Sequence, residues 1–298
     1  MSGRSILFIA ALCGAVLAGP ALASTPLTVV VTIPVLKDFV EQVGGTHVRV
    51  VSLLSGQENE HTYSPKPSDL LAVRKAWVFV EVGMGLEAWV GPLIRNAGNA
   101  GLRVVTTSEQ IPRLADHPAG SDSHSHGDGN PHIWLDPNNA KLMVGRITEA
   151  LAAVDPAHAG EYSANAARYR REISQLETEL MDMLRGAPER RIVVHHPAWP
   201  YFARRFGFDI AGEIVTQSGA EPSARHLQEL ARKIRSDHIR VIVSEPQLNQ
   251  KLPRILARES GAQLVVLTAI PGGVPGTSTY LDMLRYDVAQ LVQALRIP

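Results

Sequence analysis

Three histidines stand where predicted secondary-structure elements end, and α/β folds carry their ligands at such ends. His61 follows a predicted strand over Val48–Leu54 after a short loop, His132 stands in a proline-containing segment, and His196 follows the apolar run of a strand over Arg191–His195. Neutral imidazole is a good zinc ligand, and three such ligands leave one tetrahedral position for a carboxylate or water. Since a lone histidine is more often a surface or packing residue, the spacing alone does not establish a site.

The elements that must position these side chains alternate between apolar, β-rich runs and helical patterns, which is typical of parallel sheets with crossover helices. Strands are predicted over Leu27–Ile33, Val48–Leu54, Trp77–Val82, Arg103–Thr106, Arg191–His195, Asp209–Val215, Val241–Ser244 and Leu264–Leu267. Helices are predicted over Leu36–Val43, Pro67–Ala76, Leu86–Ala97, Trp199–Phe206, Ser223–Arg235, Lys251–Glu259 and Thr279–Leu295. The expected fold is α/β, with two similar lobes of mostly parallel sheet.

One long helix is predicted between the two halves. It begins at Asp155-Pro156, a helix start signal, and its apolar residues recur at alternating spacings of four and three, which places them on one stripe. The stripe consists of Tyr162, Ala166, Tyr169, Ile173, Leu176, Leu180 and Met183. A helix from 156 to about 184 is roughly 40 Å long. We interpret it as a rigid rod, in a linker over 156–187, that joins lobes at 24–155 and 188–298; a simple core helix is the alternative.

The first 23 residues have the pattern of a secretory signal peptide. A single positive charge at Arg4 precedes an apolar run over Ser5–Ala18, and small residues precede a cleavage site after Ala23. The run is too short to span a bilayer, which takes roughly 20 residues. A lipid anchor at Cys13 is the competing interpretation, but Leu12 stands before it where lipoprotein signals carry a small residue. We therefore expect a secreted, periplasmic protein.

Composition excludes several classes of function for the mature chain. The sequence has 298 residues, with 29 Lys and Arg against 29 Asp and Glu. Removing the signal peptide takes away Arg4 and the single cysteine, which leaves 28 basic and 29 acidic residues and no thiol. Disulfides and cysteine-ligated metals are thereby excluded. The near-neutral balance of charge gives no excess of basic residues of the kind that nucleic-acid binding requires. No later apolar run is long enough for a membrane span.

Six segments, in this order, resemble the metal-binding proteins of metal-import ABC transporters. They are Asn59-Glu-His-Thr-Tyr-Ser-Pro-Lys-Pro-Ser-Asp-Leu70, Asn130-Pro-His-Ile-Trp-Leu-Asp-Pro137, His196-Pro-Ala-Trp-Pro-Tyr-Phe-Ala-Arg-Arg-Phe-Gly207, Ala220-Glu-Pro-Ser223, Ser244-Glu-Pro-Gln247 and Thr279-Tyr-Leu-Asp-Met-Leu284. Together they extend over nearly the whole mature chain. The resemblance is to the ZnuA-like and TroA-like class, called cluster A-I.

The resemblance implies that His61, His132 and His196 are the metal ligands. Manganese-binding relatives tend to carry a carboxylate at the third position, so His196 favours zinc. Many relatives also have an aspartate ligand after the last strand, whereas the stretch 267–276 contains no acid. Glu60 matches a position that some zinc-binding relatives use for the fourth ligand. A water molecule and Glu245 are the alternatives, although Glu245 more readily holds the loop or a ligating histidine.

The remaining histidines divide into three groups. A polar, flexible segment contains His117, His124 and His126, and aspartates lie near them. By resemblance to zinc-binding relatives with His-rich loops, it is either an accessory loop that collects zinc or an ordinary solvent-exposed loop. His195 points away from His196 if both lie on a strand, which favours packing. The others are expected on the surface: His47, His158, His226 and His238. Asp136 is expected to cap a helix that begins at Pro137.

The resemblance implies a periplasmic solute-binding protein, expected to be a monomer, that captures Zn²⁺ between its lobes and delivers it to the membrane permease of an ABC importer. The alternative is the same role for Mn²⁺ or Fe²⁺. A secreted zinc hydrolase is disfavoured because the sequence has neither His-Glu-x-x-His nor Gly-x-Ser-x-Gly. A surface adhesin is a further alternative. The chain has no nucleotide-binding Walker A motif, so an ATPase subunit must supply the energy for transport.

Overall fold

Two four-stranded parallel sheets form the framework of the protein. The computed structural model describes residues 25–114, 129–187, 189–215 and 221–296. The strands are β1 (Leu27–Val31), β2 (Val48–Ser52), β3 (Val78–Glu81), β4 (Arg103–Thr106), β5 (Arg191–Val194), β6 (Asp209–Glu213), β7 (Val241–Ser244) and β8 (Gln263–Val266). Their order is β2-β1-β3-β4 in the first sheet and β6-β5-β7-β8 in the second. The two orders are equivalent, which confirms the prediction of two similar α/β lobes.

Helices cover the sheets and connect their strands. They are α1 (Pro34–Gly44), α2 (Pro67–Lys75), α3 (Val90–Ala97), α4 (Pro137–Val154), α5 (Ala159–Leu184), α6 (Pro200–Phe206), α7 (Ala224–Ser236), α8 (Lys251–Ser260) and α9 (Tyr280–Arg296). Proline at the first helical position opens α1, α2, α4 and α6, where its missing N–H costs no intrahelical bond. Asp136 caps α4 as expected, since its carboxylate accepts a hydrogen bond from the Asn138 N–H.

Helix α5 joins the lobes. Its 26 residues span about 39 Å at 1.5 Å per residue. The predicted stripe is buried from Tyr162 to Leu180 and ends at Leu184, whereas Met183 is only partly buried. Residues 156–158 form a single 3₁₀ turn before the α-helix begins. Helix α5 packs against α1 and α4 on the side of the first lobe and against α9, which follows the last strand of the second.

One hydrophobic core runs through both lobes. It contains the buried faces of α1, α4, α5 and α9 together with strands of both sheets. Three aromatic side chains meet in it: the Phe39 ring makes edge contacts with Tyr169 at 6.1 Å and Tyr280 at 5.0 Å. A smaller core lies on the second sheet, beneath α7 and α8. Since the larger core is shared, the lobes cannot swing widely apart without exposing apolar surface.

Two parts of the sequence analysis fall outside the described residues: the segment 1–23 that resembles a signal peptide, with Cys13, and the histidine-rich segment with His117, His124 and His126. Across the described ranges, no helix combines the length and the apolar character that a membrane crossing requires.

Candidate metal centre

Four side chains converge where loops from the two sheets meet. Glu60 and His61 lie in the loop that follows β2, and His196 lies just after β5. His132 directly precedes a 3₁₀ turn over Ile133–Leu135. The carboxyl ends of parallel strands are the usual ligand-binding edge of such sheets. The three predicted histidines and the predicted carboxylate are therefore brought together by the topology, although they are far apart in the sequence.

The same local turn sets the backbone before two of these histidines. The side-chain Oδ1 of Asn59 accepts a hydrogen bond from the His61 N–H at 2.9 Å, and Asn130 Oδ1 accepts one from the His132 N–H at 3.0 Å. An asparagine that bonds the backbone two residues later makes a tight Asx turn. The repeated Asn-x-His spacing is visible in the sequence, and sequence reasoning passed it over.

The donor atoms are close enough to share one ion. Nε2 of His61 lies 3.3 Å from Nε2 of His132, and Nε2 of His132 lies 3.6 Å from Oε1 of Glu60. One ligand atom from each of Glu60, His61, His132 and His196 lies within 4.8 Å of the others. Zinc–nitrogen bonds of about 2.0 Å in tetrahedral geometry place ligand atoms roughly 3.3 Å apart. The separations of 3.3 and 3.6 Å are close to this value.

Burial differs among the four side chains. Glu60, His132 and His196 are 5%, 2% and 8% exposed. His61 is only partly buried, so it is the member of the group that is most accessible to solvent. The backbone of Glu60 is itself held, because its carbonyl accepts a hydrogen bond from the Trp89 indole at 3.0 Å.

The electrostatics keep two of the imidazoles neutral. Burial, assisted by His132, lowers the pKa of His61 to about 4. Burial and the neighbouring His196 hold the pKa of His132 well below its ordinary value. The ring nitrogen Nδ1 of His132 lies 3.1 Å from Asn130 Oδ1, which places the proton on Nδ1 and leaves Nε2 with its lone pair. Both rings thus present unprotonated nitrogen at neutral pH, which is the form that binds a metal.

Glu245 lies behind His196. Its Oε1 is 3.1 Å from Nδ1 of His196 and accepts a hydrogen bond from the Trp199 indole at 2.5 Å. Burial lowers the pKa of His196, but the charges of Glu245 and Glu60 and the Glu245 hydrogen bond outweigh it, so the pKa is raised. Among the described residues, Glu245 is not part of the group whose ligand atoms lie within 4.8 Å of one another. It orients His196 from outside.

The loop after the last strand borders the cluster without supplying an acid. Ala269 and Ile270 belong to the stretch 267–276, which contains no acid, and both line the cavity beside the cluster. A small cavity is lined by Asn59, Glu60, His196, Glu245, Gln247 and Ile270. The loop is fixed by the Trp134 indole, which donates to the Ala269 carbonyl at 2.6 Å. Among the described residues, Glu60 is therefore the carboxylate that lies with the three histidines.

Among the described residues, the histidines that were not predicted to bind the metal between the lobes lie outside the cluster, and four of them make specific contacts elsewhere. His195 is buried and its Nδ1 lies 2.7 Å from Ser244 Oγ, so its role is a polar packing contact. Nε2 of His226 lies 2.8 Å from the Glu213 carbonyl oxygen. His47 and His158 are partly buried and their rings stack on each other, which the sequence prediction of plain surface residues did not anticipate.

Two similar lobes that meet around potential metal ligands are the architecture of a metal-binding solute-binding protein. A sequence profile of the family ZnuA, described as zinc-uptake complex component A, periplasmic, matches residues 29–294. The chain belongs to this family. Its members are metal-binding transport components of ABC importers that work with a membrane permease, and they are not enzymes.

Known proteins resemble the chain along nearly its whole length. It is 30% identical over 296 residues to the manganese-binding lipoprotein MntA of Halalkalibacterium halodurans, with 97% of this chain and 95% of that protein covered. It is 29% identical over 316 residues to the high-affinity zinc uptake system protein ZnuA of Brucella abortus, with 93% of each covered. A crystal structure of ZnuA has a TM-score of 0.81 at 29% identity and covers 91% of this chain and 99% of that one. Relatives named for manganese and relatives named for zinc both match. Membership of the family therefore does not decide which metal ion this chain binds.

Proposed function

We propose that the protein captures Zn²⁺ between its lobes, with His61, His132 and His196 as nitrogen ligands and Glu60 as the fourth ligand. The observation that carries the proposal is the convergence of three imidazoles and one buried carboxylate within 4.8 Å. Such a donor set suits zinc in four-coordinate geometry. Manganese prefers oxygen donors and more of them, so a nitrogen-rich site of four ligands disfavours it.

The alternative cargo is Mn²⁺ or Fe²⁺, in the same role. It is supported by the similarity to a relative named for manganese. Imidazole is also an accepted ligand for iron, and water can complete a higher coordination number. The donor count favours zinc because, among the described residues, the cluster offers one carboxylate and the bordering loop adds none.

The proposal extends to delivery. The chain is taken to be secreted by the segment 1–23, to act as a periplasmic monomer, and to pass its ion to the permease of a zinc-import ABC transporter. Release requires that the ligand loops move, because Glu60, His132 and His196 are buried. A shared core and the long helix α5 restrict wide lobe motion, so docking on the permease is expected to shift loops rather than open a hinge.

The test is a competitive zinc titration of the metal-free mature protein, with manganese and ferrous iron run in parallel. We expect one tight zinc equivalent that His61→Ala, His132→Ala and His196→Ala each weaken by about tenfold or more, with manganese and iron far behind. His226→Ala is the matched control, since that ring lies outside the cluster. Weak zinc binding that is indifferent to the three changes overturns the assignment, and tighter manganese or iron binding transfers the role to that metal.

A further inference from the structure

A second group of potential ligands lies at the beginning of α5. His47 ends a 3₁₀ turn over Gly45–His47, between α1 and β2, while His158 and Glu161 stand at the start of α5. One ligand atom from each of the three lies within 4.8 Å of the others. His158 and Glu161 are three positions apart, so they share one face of the helix start.

The side chains of this group are in direct contact with one another. Nε2 of His47 lies 2.8 Å from Oε2 of Glu161. The rings of His47 and His158 stack with centroids 3.8 Å apart and planes 23° apart. The two rings and the carboxylate therefore already lie side by side, and rotation of the side chains is enough to turn their ligand atoms toward one ion.

Asp155 orients the group in the way that carboxylates orient metal-binding histidines. Its Oδ2 lies 2.7 Å from Nδ1 of His158 and accepts a hydrogen bond from the Tyr162 hydroxyl at 2.6 Å. With the proton held on Nδ1, the lone pair of His158 is on Nε2. A carboxylate on the far nitrogen fixes the tautomer and raises the basicity of the ligating nitrogen.

The group is open to solvent, unlike the cluster between the lobes. The side chains of His47, His158 and Glu161 are 21%, 23% and 64% exposed. Partial exposure leaves the rings room to rotate toward a shared ion, since their ligand atoms already lie within 4.8 Å of one another. It also leaves positions for water, as in sites with three protein ligands and an open coordination position.

We propose that His47, His158 and Glu161 form a second, surface site for a zinc-class divalent cation, with Asp155 as its positioning residue. The site is separate from the one between the lobes. His47 directly precedes β2 and His61 lies in the loop that follows it, so the two groups belong to opposite ends of that strand. The bound ion links the α1–β2 connection to the start of the linking helix.

The experiment uses the mature full-length chain with His117→Ala, His124→Ala and His126→Ala, so that the histidine-rich segment adds no binding of its own. After one equivalent of zinc, calorimetry should detect a second, weaker equivalent. His47→Ala and His158→Ala should each reduce its affinity by about tenfold or more, and Asp155→Asn should weaken it less. Glu161→Gln should weaken it too, whereas Glu172→Gln should not. Glu172 is an exposed acid on the same helix and is also ion-paired, with Arg168.

A thermal readout separates this site from a merely structural contact. Excess zinc should raise the unfolding midpoint of the parent protein further than one equivalent does, and His158→Ala should abolish that second increment. Absence of a second equivalent, or a second equivalent that His47→Ala and His158→Ala leave unchanged, overturns the proposal. Neither result bears on the tight equivalent, which depends on other histidines.

Discussion

Nδ1 of His196 lies 3.1 Å from Oε1 of Glu245. The same oxygen also accepts the Trp199 indole hydrogen bond, and Oε2 of Glu245 has no hydrogen-bond partner among the described residues. A buried carboxylate with one oxygen unpaired costs free energy. The neighbouring His196 imidazole offsets that cost when it is protonated, because its positive charge then stabilises the carboxylate. Glu245 and His196 are therefore coupled: the acid fixes the ring through Nδ1 and leaves Nε2 for the metal ion proposed above.

The coupling predicts a graded response at position 245. Glu245→Gln keeps an oxygen for the indole and the ring but loses the charge, so zinc affinity should fall by about tenfold. Glu245→Ala also frees the ring and should cost more, towards a hundredfold. Competitive zinc titration of both variants measures the two effects. Equal affinities for all three proteins would show that Glu245 acts only in packing.

Gly56 lies where a loop of the first lobe packs closely against the second lobe. Its φ is 99°, and a Cβ placed there lies 2.6 Å from the Pro271 carbonyl oxygen. The Gly56 carbonyl accepts a hydrogen bond from the Gln247 side chain at 2.5 Å. Gly56→Ala should push the loop of Glu60 and His61 away from the second lobe, so zinc affinity should fall along with stability.

Gly98→Ala is the control for the backbone cost. Gly98 also has a positive φ, 62°, but no atom lies within 4 Å of a Cβ built there. Both variants should lose about 1–2 kcal/mol of unfolding free energy from the backbone alone. Only Gly56→Ala should weaken zinc binding, and a comparable loss of affinity in Gly98→Ala would contradict the steric explanation.

A buried hydrogen-bond network ties three helices together. Oδ2 of Asp38 accepts the Tyr169 hydroxyl at 2.9 Å and the Tyr280 backbone N–H at 2.8 Å. Tyr169→Phe removes one donor from a carboxylate that is 8% exposed. We expect a loss of about 1–3 kcal/mol of unfolding free energy, measured by denaturant titration.

Tyr286→Phe is the control for that change. Its hydroxyl donates to the Val266 carbonyl at a longer 3.3 Å, and the group is only partly buried. Its loss should therefore be smaller than that of Tyr169→Phe. If the two variants lose the same unfolding free energy, the hydrogen bond to Asp38 contributes no more to stability, where α1, α5 and α9 meet, than the hydrogen bond of Tyr286 does.

Much of the fold follows from local sequence patterns. All eight strands lie where β-rich runs predict them, because parallel strands buried on both faces read as continuous apolar segments. The 18-residue helix α4 was not predicted as a range: Asp136 was identified as its cap, but no apolar stripe was traced beyond Pro137. Helix α3 begins at Val90, four residues after the predicted Leu86, since 84–89 form turns.

The site was predictable in part for a different reason. Convergence of His61 on His132, 71 residues away, depends on which strand edges meet, and resemblance supplied that information. The direction in which Glu245 faces, and the stacking of His47 on His158, depend on side-chain packing between distant segments. No spacing or composition in the sequence encodes such contacts.

Glu87 predicts how stability depends on pH. Burial raises its pKa from 4.5 to about 7, against hydrogen bonds from Val82, Thr32 and Gly83. A carboxyl whose folded pKa is raised stabilises the fold below its unfolded pKa, and this contribution is lost as pH rises through the folded value. Between about pH 4.5 and 7, Glu87 should thus remove on the order of 3 kcal/mol of unfolding free energy.

Glu87→Gln should flatten that dependence. The amide resembles the neutral acid, so the variant should be more stable than the native protein above about pH 7 and similar to it near pH 4.5. Denaturant unfolding at several pH values measures the difference. A parallel pH profile for the two proteins would show that Glu87 does not titrate in this range.

The position of α9 has a consequence for the order in which the parts of the chain fold. This helix follows the last strand of the second lobe, yet Tyr280 bonds Asp38 of α1 and packs on Phe39. The first lobe therefore lacks part of its covering until residues 280–296 have been synthesised and have docked. Until that helix docks, Phe39 of α1 lacks one of the two aromatic partners that cover it in the folded protein, so the first lobe cannot complete its packing alone.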